Sequence, residues 1–218
     1  MLGYDYFYYG TIRAMVASFG YLFSNINIER KTSTGSTLIK VPLHFSNQGK
    51  AYESFSNPWS QTFPRMGFDF TVIGVDELRK TSGNTIERMK SANGVHWSRN
   101  FIPYDFSFSL YITANDIQDS LQIVEQILPH FQPSMTIKIK PLKDYPDFVT
   151  DVTVELVQVS NDFDTYGDIS DHASFDWTLN FTLKGFIFAP IQTTGIGVID
   201  TTTINMHEWG WIDSKITD

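Results

Sequence analysis

The run Phe106, Phe108, Leu110 and Ile112, alternating with Ser107, Ser109, Tyr111 and Thr113, constrains this chain more than any other feature. A period of two sustained over eight residues marks a strand with one apolar and one polar face. A helix signal follows at once. Asn115 stands where a cap belongs, Asp116 and Asp119 fall in the first turn, and Ile117, Leu121, Val124 and Leu128 form an apolar stripe. Pro129 and Pro133 stop the helix, since proline lacks the N–H that a helix interior needs.

Further elements follow from the same two periods. Ile12, Met15, Val16, Phe19, Leu22 and Phe23 recur at three- and four-residue spacing, which predicts an amphipathic helix over 8–23. Ile26 and Ile28, a polar run from Lys31 to Ser36 containing Gly35, and renewed alternation from Leu38 to Phe45 predict a hairpin. Pro42 weakens its second strand or places it at an edge. Phe68, Phe70, Val72 and Val75 read as a strand. So do Met135, Ile137 and Ile139, then Val152, Val154, Leu156 and Val159, and finally Phe175, Trp177, Leu179, Phe181 and Leu183.

Between these elements lie two long connections. Residues 46–64 carry Gly49, Pro58 and Pro64 among polar residues, with Tyr52, Phe55, Trp59 and Phe63 interspersed, and read as a docking loop with aromatic anchors. The polar stretch 77–95, broken by Gly83 and Gly94, has little core of its own and reads as mobile or ordered by a partner. The predicted fold is therefore α+β, a mostly antiparallel sheet packed with two main helices and carrying long aromatic loops. Its single domain spans 1–190. Residues 191–218, rich in Thr, Ile and Gly with Trp209 and Trp211, show neither period and read as an extended C-terminal arm lying on a neighbouring subunit.

Composition removes whole classes of function. The 218-residue chain has no cysteine, which excludes a cystine scaffold, a thiolate metal site and a thiol nucleophile. Sixteen Lys and Arg against 24 Asp and Glu give a formal net charge of -8, the wrong sign for gripping nucleic acid by its phosphates. No apolar run is long enough to cross a membrane, and the opening residues lack the order of a signal peptide, so a soluble protein made in the cytosol is expected. Aromatic residues reach 15%, more ring surface than a small core needs, and some of it is expected to meet another subunit.

Catalytic and metal motifs are not found. The stretch 161–171 begins like a calcium loop, yet Tyr166 and Ala173 occupy positions that need oxygen ligands, so a solvated hairpin loop is the better reading. His44, His96, His130, His172 and His207 sit in five separate segments without metal-ligand spacing. The pair His207-Glu208 beside Trp209 is a weak acid–base pair, because adjacent side chains need not face the same way. Nothing selects two of the 24 acids as a glycosidase pair. There is no nucleophile elbow, P-loop or complete dinucleotide fingerprint. Asn180-Phe181-Thr182 matches a glycosylation acceptor but falls inside a predicted strand. No catalytic residue, metal or cofactor is expected. Lys138, Lys140 and Lys143 form the one basic cluster, either an exposed sheet face or a contact for an acidic partner.

Three blocks resemble a known family. They are Leu2-Gly3-Tyr4 with Leu22-Phe23-Ser24-Asn25-Ile26, Arg30 and Ile39-Lys40-Val41-Pro42-Leu43; the helix end from Ile123 to Pro133 preceded by Tyr111-Ile112-Thr113; and Trp177-Thr178-Leu179-Asn180-Phe181 with Gly185-Phe186 and Pro190. In order and spacing they are similar to the tail sheath stabiliser, or tail completion, proteins of T-even-like contractile-tailed bacteriophages. The resemblance implies a structural virion protein, assembled in the host cytoplasm. It would form a ring, of six copies, at the head-proximal end of the tail. Its implied partners are other copies of itself, the tail sheath, the tube or its terminator, and the neck or head-completion proteins, with DNA passing through the lumen without specific binding. Candidate interface residues are Trp59, Phe63, Lys138, Lys140, Trp209 and Trp211. Two other readings stay open: a carbohydrate-binding or hydrolytic tail module, and another ring of the tail such as the tube terminator or a baseplate component.

Overall fold

The computed structural model describes residues 6–32, 35–45, 63–80, 82, 86–91, 94–99, 101–145, 147–164 and 174–190. Its first helix, α1 (Thr11–Leu22), starts after Gly10, whose φ of 70° is a left-handed conformation suited to glycine. Met15, Phe19 and Phe23, spaced by four, form the buried line of this helix. The hairpin β1 (Asn27–Thr32) and β2 (Gly35–Lys40) follows, paired in register from Asn27 opposite Lys40 to Thr32 opposite Gly35. The alternation predicted from Leu38 to Phe45 is interrupted at Val41 and Pro42. Beyond them the chain enters β3 (Leu43–Phe45), which pairs in parallel with β4 (Arg65–Val75) and forms one edge of the main sheet. Pro42 still accepts a backbone hydrogen bond from the Met66 N–H at 2.9 Å. Its position beside an edge strand is where a residue without an N–H does least harm.

A second hairpin, β5 (Ile86–Ser91) and β6 (Gly94–Arg99), occupies part of the stretch 77–95. The stretch read from sequence as having little core of its own thus carries paired strands over part of its length. Then come β7 (Ile102–Ala114), α2 (Ile117–Ile127), a 3-10 turn (Leu128–His130), β8 (Ser134–Ile139), β9 (Thr150–Asp164) and β10 (Ser174–Ile187). The main sheet has the order β3-β4-β7-β10-β9-β8 and is antiparallel except for β3 with β4. The fold is α+β, as the sequence periods predict.

Both helices contribute to the apolar core on one face of this sheet. Phe106, Phe108, Leu110 and Ile112 of β7 are buried, as their alternation requires, and Leu179, Phe181 and Leu183 of β10 lie beside them. The Phe19 ring stacks on Phe108 at 4.3 Å between centroids and meets Phe181 edge-on at 5.4 Å. Phe23, Phe131 and Phe181 continue this aromatic layer. Helix α1 approaches the sheet closely because Gly20 leaves room for the Phe68 ring and Gly185 for Phe106 and Met15. Phe101, Tyr145, Phe148 and Phe186 pack around Leu142 and Phe188 in a small second cluster.

Helix α2 differs from its predicted form in two respects. Its cap is Asp116, not Asn115: the Asp116 carboxylate accepts the Gln118 N–H at 3.0 Å. Its buried face is Ser120, Ile123, Val124 and Ile127, whereas Ile117, Leu121 and Leu128 of the predicted stripe are exposed. Among the described residues no helix is long and apolar enough to cross a membrane.

Candidate assembly surface

The polar face of the sheet is built by the residues that alternate with the core. Across four strands the register aligns Asp69, Ser109, Asn180 and Gln158, and two rows further on the same face Arg65, Thr113, Asp176 and Asp162. The Ser109 hydroxyl donates to Asn180 Oδ1 at 2.8 Å, so the glycosylation-like asparagine is a sheet residue held by its neighbour. Lys184 pairs with Glu155 at 2.8 Å. An ion pair and a side-chain hydrogen bond thus tie neighbouring strands on this face, while Asp176 and Asp162 stand opposite one another in register.

At the far end of β4, Asp76 accepts the N–H groups of Leu78 and Arg79 at 3.0 and 3.1 Å and contacts the Arg79 guanidinium. Arg79 reaches on to Asp105 at 3.2 Å and lies over the Phe186 ring. The Arg79 hydrogen bond holds the Asp76 carboxyl below its ordinary value. Burial, with Asp76 as a like-charged neighbour, pushes Asp105 up. One guanidinium between two carboxylates fixes the exit of the strand. It leaves Asp76 committed to three donors rather than available as a base.

The β1–β2 hairpin is clasped to α2 in a similar way. Arg30 donates through Nε to Asp119 Oδ2 at 3.1 Å and also through Nη2. Gln122 exchanges two hydrogen bonds with the Glu29 backbone, and Gln126 donates to the Asn27 carbonyl at 2.8 Å. These side chains occupy the edge of β1 that β2 does not use.

The candidate interface residues are distributed unevenly. Trp59, Trp209 and Trp211 lie outside the described residues. Phe63 is half-buried just before β4; its carbonyl accepts from Arg30 at 3.1 Å, and Arg65 lies over its ring at 5.2 Å. Lys138 is exposed on β8, the strand at the opposite edge from β3, and Lys140 is exposed one residue beyond its end. Among the described residues β8 pairs only with β9, which leaves one row of backbone groups unused. Of the histidines, His44, His96 and His130 fall in β3, β6 and the 3-10 turn, and His172 and His207 lie outside the described residues, as does most of the calcium-like loop.

Two surface features escape sequence reasoning. One is a set of exposed rings and chains, including Tyr6 at 92% and Tyr21 at 81% exposure, Leu38, Phe45 and Leu78. The other is a cavity of about 330 Å³ between the ends of both helices and the start of β8, lined mainly by Leu22, Ile26, Ile127, Phe131 and Met135, with Gln126 and His130 among its polar groups. Its lining comes from two stretches, 22–26 and 126–135, that lie about a hundred residues apart, which no local period can bring together.

Comparison with known proteins bears on this surface. Residues 6–214 match the family model of the T4-like virus Myoviridae tail sheath stabiliser. The chain belongs to this family. It is also 28% identical over 221 residues to the tail completion protein gp15 of Enterobacteria phage T4, a match covering 94% of this chain and 79% of that relative. The resemblance carried by the three sequence blocks is thereby shown. The chain is a phage tail protein, and its surfaces are to be read as assembly surfaces.

Proposed function

We propose that this tail sheath stabiliser forms a ring of six copies at the head-proximal end of a contractile tail. There it caps tube and sheath, holds the sheath extended, and presents a joining surface to the neck of the head. The match of residues 6–214 to the sheath-stabiliser family carries this reading. The open edge of β8, the exposed aromatics and the tryptophans of 191–218 support it, because a cyclic ring is heterologous and needs two different patches on each copy. The role is mechanical, with no catalytic residue. DNA passes through the lumen, where part of a net charge of -8 per copy repels the genome and lets it slide.

Electron microscopy of tails assembled with and without the protein, carrying a small tag to locate it, tests this function. The expected result is a ring of density at the head-proximal end; without the protein, sheaths are unstable and tails fail to join heads. Label at the baseplate or fibres would overturn it.

A further inference from the structure

We propose that the free edge of β8 and the cavity at its start form the receptor for residues 191–218 of a second copy. The segment adds to β8 as a strand and seats a tryptophan, Trp209 or Trp211, in the cavity. This rests on the ring reading and names the contact that closes the ring.

Four observations converge on it. First, Met135 and Ile137 turn toward the core yet remain only half-buried, and among the described residues no strand lies beyond β8. An added strand would complete their packing and use the unpaired backbone row. Second, Met135 lines both the strand face and the cavity, so the two surfaces are continuous. The apolar lining with a few polar groups suits an indole, a large flat group that also carries one N–H donor.

Third, the edge and the segment are complementary. Lys138 is exposed on β8 and Lys140 one residue beyond its end, while 191–218 carries Asp200, Glu208, Asp213 and Asp218 against Lys215 alone. That segment also holds Ile196, Val198, Ile199, Thr201, Thr202, Thr203 and Ile204, residue types that favour strands. Lysines along an edge repel most strands that might add to it, and admit an acidic one.

Fourth, the segment is long enough to reach another copy. Phe188 packs with Leu142, which follows the end of β8 by three residues, so the segment starts from Pro190 near that end of the strand. Trp209 comes nineteen residues after Pro190. Extended, those residues span about 60 Å, whereas the six residues of β8 cover about 20 Å. Folding back along its own edge would use about a third of this reach; crossing to a neighbour uses the rest.

The absence of cysteine allows a direct test on the full chain. Thr136→Cys on one chain is mixed under oxidising conditions with Val198→Cys, Asp200→Cys or Thr202→Cys on another. A covalent dimer from at least one mixture is expected. No dimer from any mixture, or a crosslink formed only within one chain when both cysteines are on it, overturns the proposal. As a second readout, the pair Trp209→Ala and Trp211→Ala, and separately the pair Lys138→Glu and Lys140→Glu, should each raise the concentration for half-maximal ring assembly about tenfold or more. Circular dichroism should stay unchanged. Rings that persist at unchanged concentration in both variants overturn this contact and leave the ring reading standing. Wild-type protein that forms no ring, alone or on tails, overturns the ring reading and this contact together.

Discussion

Gly185 shows how a single residue sets the distance between layers. A Cβ placed there would lie 2.8 Å from the Phe106 ring and 3.0 Å from the Met15 methyl, both wholly buried. Real Cβ atoms do not tolerate such contacts, and the ring is fixed in a packed core. Gly185→Ala is therefore expected to destabilise the fold by about 1–3 kcal/mol through overpacking. Gly74→Ala makes a good control, because nothing lies within 4 Å of its added carbon. Urea denaturation of both variants checks this, and equal midpoints would contradict it. The cap of α2 shows the limit of sequence reading at this scale. Asn115 and Asp116 both have capping side chains, but Ala114 still pairs with Phe175 in β7, so the turn falls one residue later than the periodicity alone suggests.

At the scale of elements, α2 carries more apolar residues than one face can bury. Ile117, Leu121, Val124 and Leu128 make one stripe; Ile123, Val124 and Ile127 with Ser120 make another. The structure selects the second because Asp119, Gln122 and Gln126 must face β1, and that rotation turns Ile117 and Leu121 outward. Ser120 is tolerated at the buried centre since its hydroxyl donates to the Ile117 carbonyl at 2.8 Å. Asp119 is 4% exposed and its partner Arg30 is 45% exposed, so the pair is half in water. Removing the carboxylate with Asp119→Ala should cost about 1–3 kcal/mol, less than for a fully buried pair. Chemical denaturation measures the loss, and a change below about 0.5 kcal/mol would show the clasp to be unimportant. The hairpin β5–β6 was harder to read because its sequence is polar and lacks a sustained period of two. The one local signal was Asn93-Gly94, a dipeptide typical of tight hairpins.

For the whole molecule, charge is the property that adds up over every residue. A net charge of -8 predicts no measurable retention of duplex DNA even at low salt, where phosphate binding is strongest. Fluorescence anisotropy with a labelled duplex checks this, and a salt-sensitive affinity would contradict it. The sequence by itself determined β4 and β7 to β10 of the main sheet, both helices and the family, because each is written in local periods or contiguous blocks. Tertiary structure alone decided which stripe of α2 is buried, the parallel pairing of β3 with β4, and the cavity against β8. Those depend on residues far apart in the chain coming together, here Arg30 with Asp119, Leu43 with Met66, and Leu22 and Met135 on the walls of one cavity, whose spacing in sequence carries no period to read.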